Sequence, residues 1–210
     1  MMRIESIAEK PDRAGKFLVR FDNGTAMRLY RQTVEQYGLY PGYEMDAEAL
    51  QRLRSDAGAM SAKMRAVRIV AASSVSRDDL RQRLVRKGED PVQAEEAVSW
   101  MEEMKLVDDR QTAAQIVSRC ISKGYGISRA KQALYEKRIP KQYWDEALAD
   151  YPDQTEVLVE FLRARLGNNP DEKTRKRAID ALLRRGHSYG DIRSALMQLD
   201  YDEFPEDYDG

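Results

Sequence analysis

Five residues, Leu84-Val85-Arg86-Lys87-Gly88, return as Leu134-Tyr135-Glu136-Lys137-Arg138 and again as Leu182-Leu183-Arg184-Arg185-Gly186. The leading leucines stand 50 and then 48 residues apart, and thirteen residues beyond each lies an alanine, Ala97, Ala147 and Ala195. A register kept that far marks a repeated helical unit, and a period of this size belongs to small helix groups stacked along one chain. Such groups form thin layers, each burying its own apolar stripe. The composition agrees, with 34% charged and 42% hydrophobic residues, a lean supply for one thick core.

Ahead of the repeats the pattern changes period. Phe17, Val19 and Phe21 alternate with Leu18 and Arg20, Asn23-Gly24 follows, and Thr25, Met27 and Leu29 alternate on the return. This reads as a β-hairpin closed by a two-residue type I′ turn, for which Asn-Gly supplies both positive φ angles. A third strand over residues 3–7 supports it, followed by a helix over 33–37 closed by Gly38 and another over 47–54. Asp46 caps the latter, with Met45 stapled on Leu50, and Gly58 marks a joint.

The first repeat then has a helix carrying Met64, Val67 and Ala71, a second capped by Ser76 and ended by Gly88, and a third opened by Asp90-Pro91. The third bears the stripe Ala94, Ala97, Val98, Met101 and Met104. In the second repeat Asp108 caps a helix with Ala113, Ile116, Val117 and Cys120; Gly124 ends it, Ser128 caps the next, and Pro140 lies in the first turn of the last. In the third, Val157, Leu158, Phe161 and Leu162 point inward, Gly167 and Gly186 are stops, and Ser188 with Asp191 caps the final helix. The expected fold is mainly α: three tandem three-helix repeats (59–107, 108–152, 153–199) forming an elongated array. A β-hairpin plus helix extension (1–58) precedes them and an acidic tail (200–210) follows.

The repeated motif has a structural explanation. Its leucine is buried, its glycine leaves the helix through a left-handed residue, and its basic residue complements the helix dipole in the last turn. Arg138, standing where the other copies have glycine, implies a different exit.

The net charge of -1 hides an uneven distribution. The tail holds six acids and no base, which leaves the remainder at +5, and residues 1–60 sum to zero. The basic excess therefore lies in the repeats. Candidate contacts to an anionic partner are Arg81, Arg83, Arg86 and Lys87 in the first repeat, Lys137 and Arg138 in the second, and Lys173, Arg177, Arg184 and Arg185 in the third. The competing explanation is a solvated helix surface, since Lys and Arg are good helix formers. The tail is expected to compete for these faces, so that its removal tightens anion binding at low salt.

Catalytic and metal chemistry find little footing. His187, the single histidine, lies at a helix junction, and Cys120 on an apolar stripe reads as a core thiol. With one of each, a Cys/His metal centre is ruled out, Asp108-Asp109 reads as a helix cap, and no nucleotide-binding fingerprint occurs. The expectation is of no enzyme, no metal and no cofactor. Trp100 and Trp144 read as packing residues before base-stacking ones, with Tyr143 open. A single cysteine, the lack of a signal-peptide core and the lack of a long apolar run point to a cytoplasmic protein away from membranes; a monomer is expected.

The order of these motifs resembles the RecX family. The resemblance rests on Val107-Asp108-Asp109 between the first two repeats, Tyr125-Gly126-Ile127-Ser128 before the middle helix of the second, and the run from Leu134 to Ile139 that ends it. Gly38-Leu39, Pro41-Gly42 and the segment 46–50 are similar to the extension some members carry. Thr112 stands where members usually have an aromatic. The resemblance implies a non-enzymatic regulator that binds the RecA recombinase filament on single-stranded DNA. It further implies suppression of strand exchange, ATP hydrolysis and coprotease activity, with weak binding to single- or double-stranded DNA. The alternative is a stand-alone helical nucleic-acid-binding module.

Overall fold

A computed structural model describes residues 1–167 and 170–199; the acidic tail lies outside them. The chain divides into two units, Met1–Val107 and Asp108–Gly210. Among the described residues no helix is long and apolar enough to cross a membrane.

The first unit opens with a four-stranded antiparallel sheet in the order β3-β2-β1-β4, formed by β1 (Met2–Ile7), β2 (Lys16–Phe21), β3 (Ala26–Tyr30) and β4 (Glu44–Met45). The hairpin is present, but its turn is not type I′. Gly24 alone has positive φ, and the Gly24 amide donates to Phe21 O (3.0 Å) while the Phe21 amide donates to Thr25 O (2.9 Å). That is a three-residue loop with glycine in the left-handed position. The Asn23 carboxamide fixes it instead by accepting from the Thr25 amide (3.0 Å) and hydroxyl (2.7 Å).

α1 (Arg31–Gln36) follows β3 and leaves through Gly38. α2 (Ala47–Ala72), capped by Asp46, then runs unbroken for 26 residues, where the sequence predicts two helices and a joint at Gly58. Gly58 lies inside α2 because the helix passes close to Gln93; a Cβ there would collide with that side chain, whose amide nitrogen donates to Ser55 O (3.1 Å). The glycine permits close packing and does not break the helix. Leu50 and Leu53 join Ile4, Val19, Phe21, Leu29 and Met45 in the sheet core. Ala62, Ala66 and Ile69 are buried facing α3 (Arg77–Arg86) and α4 (Pro91–Glu103), with Leu80, Leu84, Ala94, Ala97, Val98 and Met101, and Val67 packs partly buried against the same core. Met104, expected on that stripe, is the C-terminal cap of α4 and is exposed.

The second unit contains α5 (Asp109–Ser122), α6 (Ile127–Glu136), a 3₁₀ turn (Lys141–Tyr143), α7 (Trp144–Leu148), α8 (Thr155–Leu166), α9 (Glu172–Arg184) and α10 (Tyr189–Met197). Pro140 precedes the 3₁₀ turn instead of entering an α-helix. Ala113, Val117, Leu134 and Ile139 form one core; Leu158, Leu162, Ile179, Leu182, Ile192 and Leu196 form another. Val157 is exposed, against expectation. Among the described residues the chain is mainly helical with a small N-terminal sheet, an arrangement compatible with the repeat seen in sequence.

Candidate partner-binding surfaces

The three motif copies end their helices identically. The residue five beyond each leucine donates its amide to that leucine's carbonyl: Glu89 to Leu84 O (3.1 Å), Ile139 to Leu134 O (3.0 Å) and His187 to Leu182 O (3.3 Å). Arg138 makes the same exit as Gly88 and Gly186, with φ +56°, so the expected difference is absent. The terminal hydrogen bonds outweigh the roughly 1–2 kcal/mol that a Cβ costs in this conformation.

In the first unit the candidate cations separate into two kinds. Arg83 is paired to the largely buried Asp79 (2.8 Å), and Arg81 to Asp78 (3.0 Å), so both side chains brace α3. Arg86 and Lys87 are exposed at its C-terminal turn. Next to that turn the fold gathers cations from separate elements of the chain. Arg65 of α2 donates to Lys87 O (2.7 Å) and pairs with the buried Glu89 (2.7 Å); Ser61 donates to the same carboxylate oxygen (3.1 Å); Lys16 of β2 donates to Ser61 Oγ (3.0 Å). Burial pushes the Lys16 ammonium down from its ordinary value, opposed by the charge of Glu89 and assisted by Arg65 and Arg68. Only helix and strand packing brings positions 16, 61, 65 and 89 together; no local spacing signals it.

In the second unit Lys173, Arg177 and Arg184 are exposed on α9, and their spacings of four and seven put them on one face. Arg138 is exposed, whereas Lys137 is half-buried. Arg185 is also half-buried, its guanidinium 4.9 Å from the Phe161 ring centroid, with Arg165 4.8 Å from the same ring.

The same unit holds a joint made by main chain. Ser128 does not cap α6; Gly126 does, without a side chain, because the turn after α9 supplies the acceptors. The Gly126 amide donates to Arg185 O (3.0 Å) and the Ser128 amide to Gly186 O (3.3 Å). A Cβ on Gly126 would overlap Gly186 O, and one on Gly186 would overlap the Arg129 backbone. His187, buried at this junction as expected, has Nε2 3.1 Å from Gly124 O, and burial pushes its pKa down against the opposing hydrogen bond. The Tyr151 hydroxyl, pushed up to about 12 by burial, donates to Tyr125 O (2.7 Å).

Cys120 is a buried thiol raised by desolvation. Trp144 donates to Ile139 O (2.9 Å) within its core, and Trp100 packs half-buried beneath Lys63. Among the described residues no cluster of His, Cys, Asp and Glu is placed to hold a metal ion.

No protein-family model matches the chain. Curated relatives do. The regulatory protein RecX of Chlorobaculum tepidum is 31% identical over 140 residues, 65% of this chain and 86% of that protein. The RecX of Xanthomonas axonopodis pv. citri is 30% identical over 134 residues, 62% and 83%. That of Clostridioides difficile is 23% identical over 209 residues, 96% and 97%. A crystal structure of regulatory protein RecX superposes with a TM-score of 0.63 at 21% identity, over 97% of this chain and all of that one. RecX from Lactobacillus salivarius gives 0.59 over 68% of this chain and 97% of its own.

Proposed function

This chain belongs to the RecX family of regulatory proteins, and from that premise we propose that it regulates the RecA recombinase by binding the filament RecA forms on single-stranded DNA. Binding suppresses strand exchange, ATP hydrolysis and the filament's coprotease role. The protein acts as a cytoplasmic monomer and performs no catalysis of its own. Supporting this reading is the family membership, joined to the exposed basic turns at Arg86-Lys87, Arg138 and Arg184, which suit a polyanionic filament.

The test adds the purified protein at substoichiometric ratio to RecA already assembled on single-stranded DNA and follows ATP hydrolysis. Inhibition that persists in excess bare DNA is the expected result; no effect at equimolar protein would sink the proposal. A second reading, a nucleic-acid-binding module, draws on Lys173, Arg177 and Arg184 sharing one face of α9. It predicts inhibition abolished by excess bare DNA, and an affinity falling with log salt by roughly 0.7 per phosphate contact.

A further inference from the structure

The face of the β2–β3 hairpin opposite the core carries cations and no acids. Val19, Phe21 and Leu29 are buried inward. Of the pairs of opposite phase, Leu18 across from Arg28 and Arg20 from Ala26 face out, while Lys16 and the buried Tyr30 at the far end lie beneath α2. Neither strand contains an Asp or Glu. Arg20 and Arg28 are exposed and Lys16 is half-buried. On this ladder Lys16 and Arg28 are diagonal neighbours, as are Arg28 and Arg20, each diagonal spanning about 7–8 Å.

The row continues onto α2. The Lys16 ammonium lies 4.9 Å from the Tyr30 ring centroid and the Arg68 guanidinium 6.0 Å from the same ring, while Arg68 donates to Ala14 O (2.6 Å). Arg65 is close enough for its charge, with that of Arg68, to depress Lys16. Carboxylates stand near this row as well: Asp12 by Arg28 and Lys16, Glu89 engaged by Arg65 and Ser61, and Glu5, exposed at the β1 bulge on the strand beside Arg20. The heads of Lys16, Arg65 and Arg68 are held by hydrogen bonds and not left to wander, so a ligand need not order them on arrival. The neutral sum over residues 1–60 conceals this concentration, because most of the compensating acids lie elsewhere.

We propose that this row, Arg20, Arg28, Lys16, Arg68 and Arg65, is a seat for the sugar-phosphate backbone of a single-stranded nucleic acid. The diagonal step is on the scale of the phosphate-to-phosphate step of an extended strand. One row follows one backbone, whereas a duplex groove presents two. Leu18 and Ala26 between the cations leave apolar ground for sugars and bases. The surface adds a direct nucleic-acid contact to the proposed function and does not depend on the filament reading.

The experiment measures anisotropy of a fluorescent oligothymidylate with the full chain between about 50 and 200 mM salt. Arg20→Glu/Arg28→Glu should weaken binding about tenfold or more at low salt and flatten the log-log salt slope by roughly 1.4, two contacts at 0.7 each. Arg52→Glu/Arg54→Glu, of equal charge change at exposed positions on α2, should leave the slope unchanged. Arg20→Gln/Arg28→Gln, gentler on the fold, should show the same loss of slope with an unaltered melting temperature. The proposal is overturned by an unchanged slope in both hairpin variants, by an equal loss in the α2 control, or by an equal effect on a duplex of the same length. RecA ATPase inhibition by the hairpin variant, assayed alongside, reports on the filament reading separately.

Discussion

The two units join their parts by opposite means. In the first, the sheet and the α2–α4 group share a continuous helix and a side-chain relay, Lys16 to Ser61 to Glu89 to Arg65. In the second, the α5–α7 and α8–α10 groups meet backbone to backbone, Gly126 and Ser128 donating to Arg185 and Gly186 across a contact that excludes any side chain. This relay has long, partly exposed arms at its ends, Lys16 and Arg65, which can adjust when one member changes. Two glycines in main-chain contact cannot, because nothing between them can move aside.

The largest effect should follow from Gly126→Ala, whose added methyl meets the Gly186 carbonyl. Denaturant unfolding should show a loss of about 3 kcal/mol, the upper range for overpacking, and a loss below that of an ordinary surface substitution would mean the contact is not fixed. Next comes Glu89→Gln. It leaves Arg65 and Lys16 without their shared carboxylate, but both are partly solvated, so about 1–2 kcal/mol is expected. If this variant destabilises more than Gly126→Ala, the contrast between rigid and adjustable joints is wrong. Arg138→Gly should act in the other direction, raising the unfolding free energy by about 1 kcal/mol as the left-handed residue loses its Cβ.

The smallest effect is in pH. The pKa of His187 is held below the ordinary 6.5 in the folded chain, so its neutral form is favoured by folding. The stability this gives is fully present above that value and is lost as pH falls through it toward the folded pKa. Midpoints compared between about pH 8 and pH 5 should decline more in the wild type than in His187→Gln.

What could be read from sequence was whatever a single element decides. Ser76, Asp90, Asp108 and Ser188 cap the helices expected of them, because a capping side chain needs only its own first turn. Fold and family followed from such signals in order. The failures are at positions where a distant element decides. Gly58 looks like a break until Gln93 is set against it, and Ser128 looks like a cap until the turn at Arg185 and Gly186 supplies the acceptors. Asn23-Gly24 promised the wrong turn, since the Asn23 side chain could close a longer loop. The candidate cations divided for the same reason: partners such as Asp79 and Phe161 were visible, but not their contacts.

α2 has a kinetic meaning as well as a geometric one. It is about 39 Å long at 1.5 Å per residue, and its first half completes one core while its second half completes another. Neither core can release its share without fraying a helix the other still needs. The amides of α2 should therefore exchange with solvent as one class, in a single opening that takes the sheet and the helix trio together, instead of two openings separated at Gly58. A hydrogen-exchange profile that steps at Gly58 would identify two foldons along one rod; a flat one makes the extension and the first helix group a single folding event.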